Sequence, residues 1–261
     1  MLLRHPRLGP VTGSDRVRYD NESDTEHMSQ LRGGAGSRRT LIWAGAIGVL
    51  VLALGVLAAL VRSEPNSSTE ITVMQWVQGW SAPGLSRFMQ DISAWTDTEF
   101  RIALPALGVA YLMFSGRTRL GWAVGLAILV IAATAFGFDY WLGQFVERGR
   151  PIAEPTGSSF PSGHTFGSTV TFGFIAFLAF RHGLRLSLRG PLLALMATLT
   201  GLVGLSRVFL SAHWPTDVAA GYLLGAILLL LLIPLYAICI RAICAKGSGN
   251  HDLTDLQTAD G

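Results

Sequence analysis

Long apolar runs, separated by short polar stretches, dominate the chain after residue 40. The first run, Leu41 to Val61, has 21 residues and no charge, and it directly follows Arg38 and Arg39. As a helix it is long enough to cross roughly 30 Å of hydrocarbon. A signal peptide has a shorter apolar segment nearer the start, so a retained span is expected. Five more runs follow: Phe100 to Phe114, which is short and contains Pro105, then Leu120 to Phe138, Phe160 to Phe180, Pro191 to Leu210 and Val218 to Ile240. Lipid offers no partner to an unpaired backbone group, so each run is predicted to be a helix. Gly221 and Gly225 form a small-xxx-small pair in the last run, a spacing that suits close helix packing.

Residues 62–99 have a different pattern. Leu85, Phe88, Met89, Ile92 and Trp95 share one helical face, and Trp76 and Trp80 add interfacial character. Either an amphipathic helix in the headgroup layer or an ordinary helix packed on the spans fits this pattern. The expected fold is therefore all-α: a six-span transmembrane helical bundle with an interfacial amphipathic helix between spans one and two. Residues 1–39 are polar and have no sustained apolar period, so they cannot bury enough surface to offset ordering entropy. Disordered tails are expected over 1–39 and 242–261, flanking one membrane domain over 40–241.

Composition agrees with this pattern. Charged residues are 14% of the chain, against about a quarter in soluble domains. The net charge of +3 comes from cations scattered between apolar runs, not from a basic face, which argues against a nucleic-acid partner. Arg117 and Arg119, then Arg181, Arg185 and Arg189, then Arg241 and Lys246, and the seven arginines of the N-terminal tail all fall on one side of a six-span chain. The positive-inside rule makes that side cytoplasmic. Both termini are then cytoplasmic, and 62–99, 139–159 and 211–217 face outward. Cys239 and Cys244 match no zinc or redox spacing and read as small apolar residues.

The outward face holds the residues with chemical potential. Arg148, Gly149, Arg150 and Pro151 form one segment, Pro161, Ser162, Gly163 and His164 a second, and Ser206, Arg207, His213 and Asp217 a third. Arg207 sits among Leu205, Val208, Phe209 and Leu210, where a charge costs up to about 3 kcal/mol on insertion scales. A snorkelling arginine or an anion contact would each account for it. Ser162 suits an N-cap, Gly163 permits close approach, and a helix N-terminus binds phosphate readily. Pro215 is placed to open the last helix. His213 would then lie just outside it and Asp217 in its first turn. A carboxylate accepting from one imidazole nitrogen would leave the other as a nucleophile or base.

Together, Arg150-Pro151, Pro161-Ser162-Gly163-His164 and Ser206-Arg207-x5-His213-x3-Asp217 resemble the three-part signature of the type 2 phosphatidic acid phosphatase superfamily. That family includes membrane lipid phosphatases, undecaprenyl-pyrophosphate phosphatases and soluble vanadium haloperoxidases. The resemblance covers about residues 41 to 240 and implies that 40–241 is a transmembrane phosphatase domain in the cell membrane. One position departs from the pattern. The first segment usually reads Lys-x6-Arg-Pro, and Gly143 stands where that lysine would be. Arg148, two residues from Arg150, is the candidate substitute.

By resemblance, His213 attacks phosphorus, Asp217 orients it, and His164 protonates the leaving oxygen. Arg150, Arg207, Ser162 and the Gly163 N–H, with Arg148, would hold the phosphoryl oxygens. No metal site and no cofactor are expected, and the partner is a lipid phosphate in the membrane. Two rival readings stay open: a lipid phosphotransferase, and a non-catalytic lipid-binding or transport protein on the same fold. The substrate and the oligomeric state are not set by the sequence.

Overall fold

The computed structural model describes residues 38, 40–96, 114, 125, 141–152, 157–181 and 183–257. Among them the only regular elements are helices. These are α1 (Thr40–Ser63), α2 (Ser68–Gln78), α3 (Leu85–Ala94), a short α4 over 141–146, α5 (Gly163–Arg181), α6 (Leu186–Phe209) and α7 (Pro215–Gln257).

Four of them are long and apolar enough to cross a membrane: α1, α5, α6 and the Pro215–Ile238 part of α7. The expected spans Phe100 to Phe114 and Leu120 to Phe138 lie outside the described residues, apart from Phe114 and Gly125. The segment expected to hold one amphipathic helix holds two, because Gly79 to Gly84 interrupts it. Gly84 takes a left-handed φ of 77° at the N-cap of α3. Helix α6 starts at Leu186, five residues before the expected Pro191. Pro191 thus lies inside the helix, one residue into its second turn. Arg189 donates to the carbonyls of Phe180 and Leu184 and so satisfies the end of α5. Residues 242–257, in the expected C-terminal tail, are assigned to the same helix, α7.

The core joins three helices. Leu54, Ala58 and Val61 of α1, spaced four and three residues apart, pack with Phe166 and Val170 of α5 and Ala220, Leu224 and Leu228 of α7. Other positions of α1, such as Leu52, Val56 and Leu60, are exposed, as hydrocarbon-facing residues are in a bilayer. Helices α5 and α7 approach most closely at their starts. A Cβ on Gly221 would lie 2.8 Å from the Ser162 carbonyl oxygen, and one on Gly225 would lie 2.7 Å from Thr169. The small-xxx-small pair thus lets the first turn of α5 rest directly on α7.

Gly221→Ala is expected to destabilise the protein by about 1–3 kcal/mol through overpacking. Gly201→Ala in α6, where an added Cβ meets nothing within 4 Å, should be neutral. Thermal unfolding of both variants in detergent checks the contrast.

Candidate functional site

The end of α6 is built by local backbone bonds. Leu210 is the C-cap, and Ser211 follows with a left-handed φ of 56°. Ser211 N–H donates to Val208 O at 3.1 Å and Ala212 N–H to Arg207 O at 3.0 Å. This is a Schellman closure with serine where glycine is usual. His213 N–H also donates to Arg207 O, at 3.2 Å. The five residues between Arg207 and His213 are therefore one helix-terminating turn that folds the histidine back beside the arginine's carbonyl.

Trp214 caps α7, and Asp217 closes the cap from its first turn. Asp217 Oδ2 accepts from Trp214 N–H at 2.9 Å, while Asp217 N–H donates to Trp214 O at 3.0 Å. The carboxylate thus makes the half of a capping box in which the N3 side chain reaches back to the N-cap N–H. Asp217 does two more things. Its backbone carbonyl accepts from Ser162 N–H at 3.0 Å, which fixes the start of α5. Its Oδ1 accepts from Arg148 Nη1 at 2.7 Å.

The histidine's orientation differs from expectation. His213 Nδ1 lies 2.8 Å from the Ser159 carbonyl oxygen and 3.7 Å from Asp217 Oδ2. A carbonyl can only accept, so Nδ1 carries the proton and Nε2 keeps a lone pair. The hydrogen-bonding partner is thus a backbone oxygen, with the Asp217 carboxylate beyond hydrogen-bond distance. Ser159 is held in turn by its N–H to Arg148 O at 2.8 Å.

The other two segments join here. Ser162 is fully buried, precedes the first residue of α5, and offers its carbonyl to Phe166 N–H at 2.9 Å, as an N-cap does. Gly163 and His164 are half-buried in the first turn. Gly149 O accepts from Trp214 Nε1 at 2.9 Å, and Ile152 N–H donates to Ser211 O at 3.3 Å. These bonds place Arg150 in a strand of loop stitched to the α6–α7 turn. Arg207 donates from Nη1 to Ser93 Oγ of α3, and Gln78 of α2 donates to Ser211 Oγ at 2.5 Å. Helices α2 and α3 are therefore tied to the site by polar contacts.

Arg148 is 1% exposed. Its Nε and Nη2 donate to Pro65 O, its Nη1 to Thr216 Oγ1 and Asp217 Oδ1, and its Nη2 also to Glu70 Oε2. A guanidinium has five N–H donors, and all are committed within the protein. In this arrangement Arg148 ties the α1–α2 loop, α2 and the start of α7 together. Gly143 is buried in α4, where an added Cβ would lie 3.2 Å from Ser158 Cβ.

Sequence reasoning missed Ser159, Glu70, Thr216 and Ser93. A backbone carbonyl such as that of Ser159 leaves no side-chain signal. Glu70 had one: Ser67-x-x-Glu70 reads as a capping box, and Ser67 Oγ does accept from Glu70 N–H at 3.3 Å. Its carboxylate, however, leaves the cap and turns to Arg148 and Thr216.

Residues 119–241 match the family model of the PAP2 superfamily, the family that the three motifs resemble. The chain is 29% identical over 182 residues to phosphatidylglycerophosphatase B of Bacillus subtilis (strain 168), covering 68% of this chain and 88% of that protein. It superposes on the crystal structure of a transmembrane PAP2-type phosphatidylglycerolphosphate phosphatase from Bacillus subtilis with a TM-score of 0.65 at 27% identity. That match covers 72% of this chain and 94% of the other.

Lysine at position 148 would keep the charge but offer three donors to acceptors that now receive five. Arg148→Lys should therefore lower stability by about 1–3 kcal/mol. Denaturant unfolding in detergent checks it, and an unchanged midpoint would contradict the saturated geometry.

Proposed function

We propose, from a chain with a PAP2-superfamily domain over residues 119–241, that it is a membrane phosphatase that hydrolyses a lipid phosphate ester through His213. One observation carries the reading. Three polar segments, distant in sequence, are stitched into one buried helix-end cluster, in which Nδ1 of His213 is fixed on the Ser159 carbonyl.

In this reading His213 Nε2 attacks phosphorus, and the bond to the lipid oxygen breaks. His164 gives its proton to that oxygen, so the lipid leaves as an alcohol. Water then attacks the phosphohistidine with His164 as base, releasing phosphate and restoring His213. Phosphoryl transfer needs alignment and neutralisation of charge on the equatorial oxygens. Arg150, Arg207, Ser162 and the N-terminal N–H groups of α5 supply both without a metal. Ser159 O keeps Nδ1–H in place, and Asp217, 3.7 Å from that nitrogen, stabilises the ring as it becomes cationic.

The substrate class follows from the relatives named above, both phosphatases of phosphatidylglycerol phosphate. A glycerophospholipid monoester is therefore the first candidate, ahead of phosphatidic acid and polyprenyl pyrophosphate. The positive-inside rule applied to the loop arginines supports a site on the extracytoplasmic face and termini in the cytoplasm. Helix α3 then lies in the headgroup layer, with Phe88 and Trp95 exposed beside the bonded Ser93.

Purified protein is expected to release phosphate from detergent-dispersed phosphatidylglycerol phosphate, and His213→Ala to lose about a thousandfold or more in kcat. Chelator should leave the rate within about twofold, since no metal supplies charge. A His213→Ala variant that keeps a tenth of the activity would end the mechanism. For topology, cysteines introduced at Ala82 and at Arg185, in a background without Cys239 and Cys244, should react with an impermeant maleimide from opposite sides of sealed vesicles. Labelling from the same side would refute the orientation.

A further inference from the structure

We infer that Glu70, on α2 and outside all three motifs, is a positioning residue that leaves the charge of Asp217 available to His213. The inference rests on the phosphatase reading above. Glu70 precedes the family-matched residues 119–241, yet its carboxylate is buried among their site elements. Oε2 accepts from Arg148 Nη2, and Oε1 accepts from Thr216 N–H at 3.0 Å and Thr216 Oγ1 at 2.5 Å.

The charge count gives the reason. Arg148 is buried between two carboxylates, those of Glu70 and Asp217. With Glu70 ionised, Arg148 is already matched, and Asp217 adds a net negative charge beside His213. Without Glu70, Arg148 and Asp217 cancel each other, and the protein offers less negative charge to the ring as it becomes cationic on taking the phosphoryl group. In a dry site that difference is large, because water cannot screen it. It acts on the charged intermediate and its transition state more than on the neutral ring, so it belongs in kcat rather than KM. Glu70 also fixes the register of α7. It accepts from the Thr216 backbone N–H in the first turn, one residue before Asp217, which the macrodipole favours.

The test uses the full chain in detergent with phosphatidylglycerol phosphate. Glu70→Gln preserves shape and most hydrogen bonds but removes the charge. It is expected to lower kcat about tenfold or more, with KM within about threefold and the melting temperature close to wild type. Glu64→Gln, at an exposed position, should match wild type. Combined with Arg148→Lys, the Gln variant should lose less than the product of the two single effects, because both act on one network. Wild-type kcat in Glu70→Gln, a loss confined to KM, or additive effects in the double variant would each overturn the inference. If Glu70→Gln does not fold, Glu70→Asp decides. Its carboxylate keeps the charge that matches Arg148, so kcat should exceed that of Glu70→Ala at similar KM, and equal kcat in the two variants would overturn the inference. If wild type releases no phosphate, or His213→Ala keeps its activity, the phosphatase reading fails instead.

Discussion

The site depends on one buried cation. The Arg148 guanidinium has almost no contact with solvent, and a lone charge there would cost several kcal/mol. The fold offsets that cost by surrounding it with two carboxylates, a hydroxyl and a backbone carbonyl, which take all five donors. The indole of Trp214 covers its face at 5.0 Å. These partners come from the α1–α2 loop, from α2 and from the start of α7. Satisfying one guanidinium therefore forces three parts of the chain to meet.

The residues beside Arg148 inherit that precision. Asp217 is held by Arg148 on one oxygen and by the Trp214 N–H on the other, so its carboxylate cannot rotate. Its carbonyl holds Ser162, and the carbonyl of Arg148 holds Ser159, whose own carbonyl fixes the His213 ring. Each link is a short bond between groups that are already immobile. Preorganisation of this kind is what electrostatic catalysis of phosphoryl transfer requires. The helix ends contribute in the same way: the Schellman turn brings His213 back to Arg207, and glycine packing seats the N-terminus of α5 against α7.

Helices α2 and α3 look peripheral in sequence, but the structure makes them part of the site. Glu70, Gln78 and Ser93 reach Arg148, Ser211 and Arg207 respectively. The pair carries exposed aromatics, among them Trp76, Phe88 and Trp95, together with these polar tethers.

The hydrophobic pattern by itself determined the helical class, the approximate limits of α1 and α5 and the approximate start of α7, because a bilayer accepts few alternatives. The spacing of Arg150, Ser162, His164, Arg207, His213 and Asp217 marked the family, since helix caps and a terminating turn fix those intervals locally. Contacts between distant segments were decided by the tertiary structure alone. Sequence proximity suggested that Arg148 faces the phosphate, and the structure commits its donors to Pro65, Glu70, Thr216 and Asp217. The three-residue gap to Asp217 suggested a hydrogen bond to His213, but the Ser159 carbonyl lies closer. Glu70 lies outside the three motifs, and its contacts became visible only when α2 packed beside α7. Hydrogen-bond choice among buried groups depends on which acceptor lies nearest in space, and no local pattern along the chain encodes that distance.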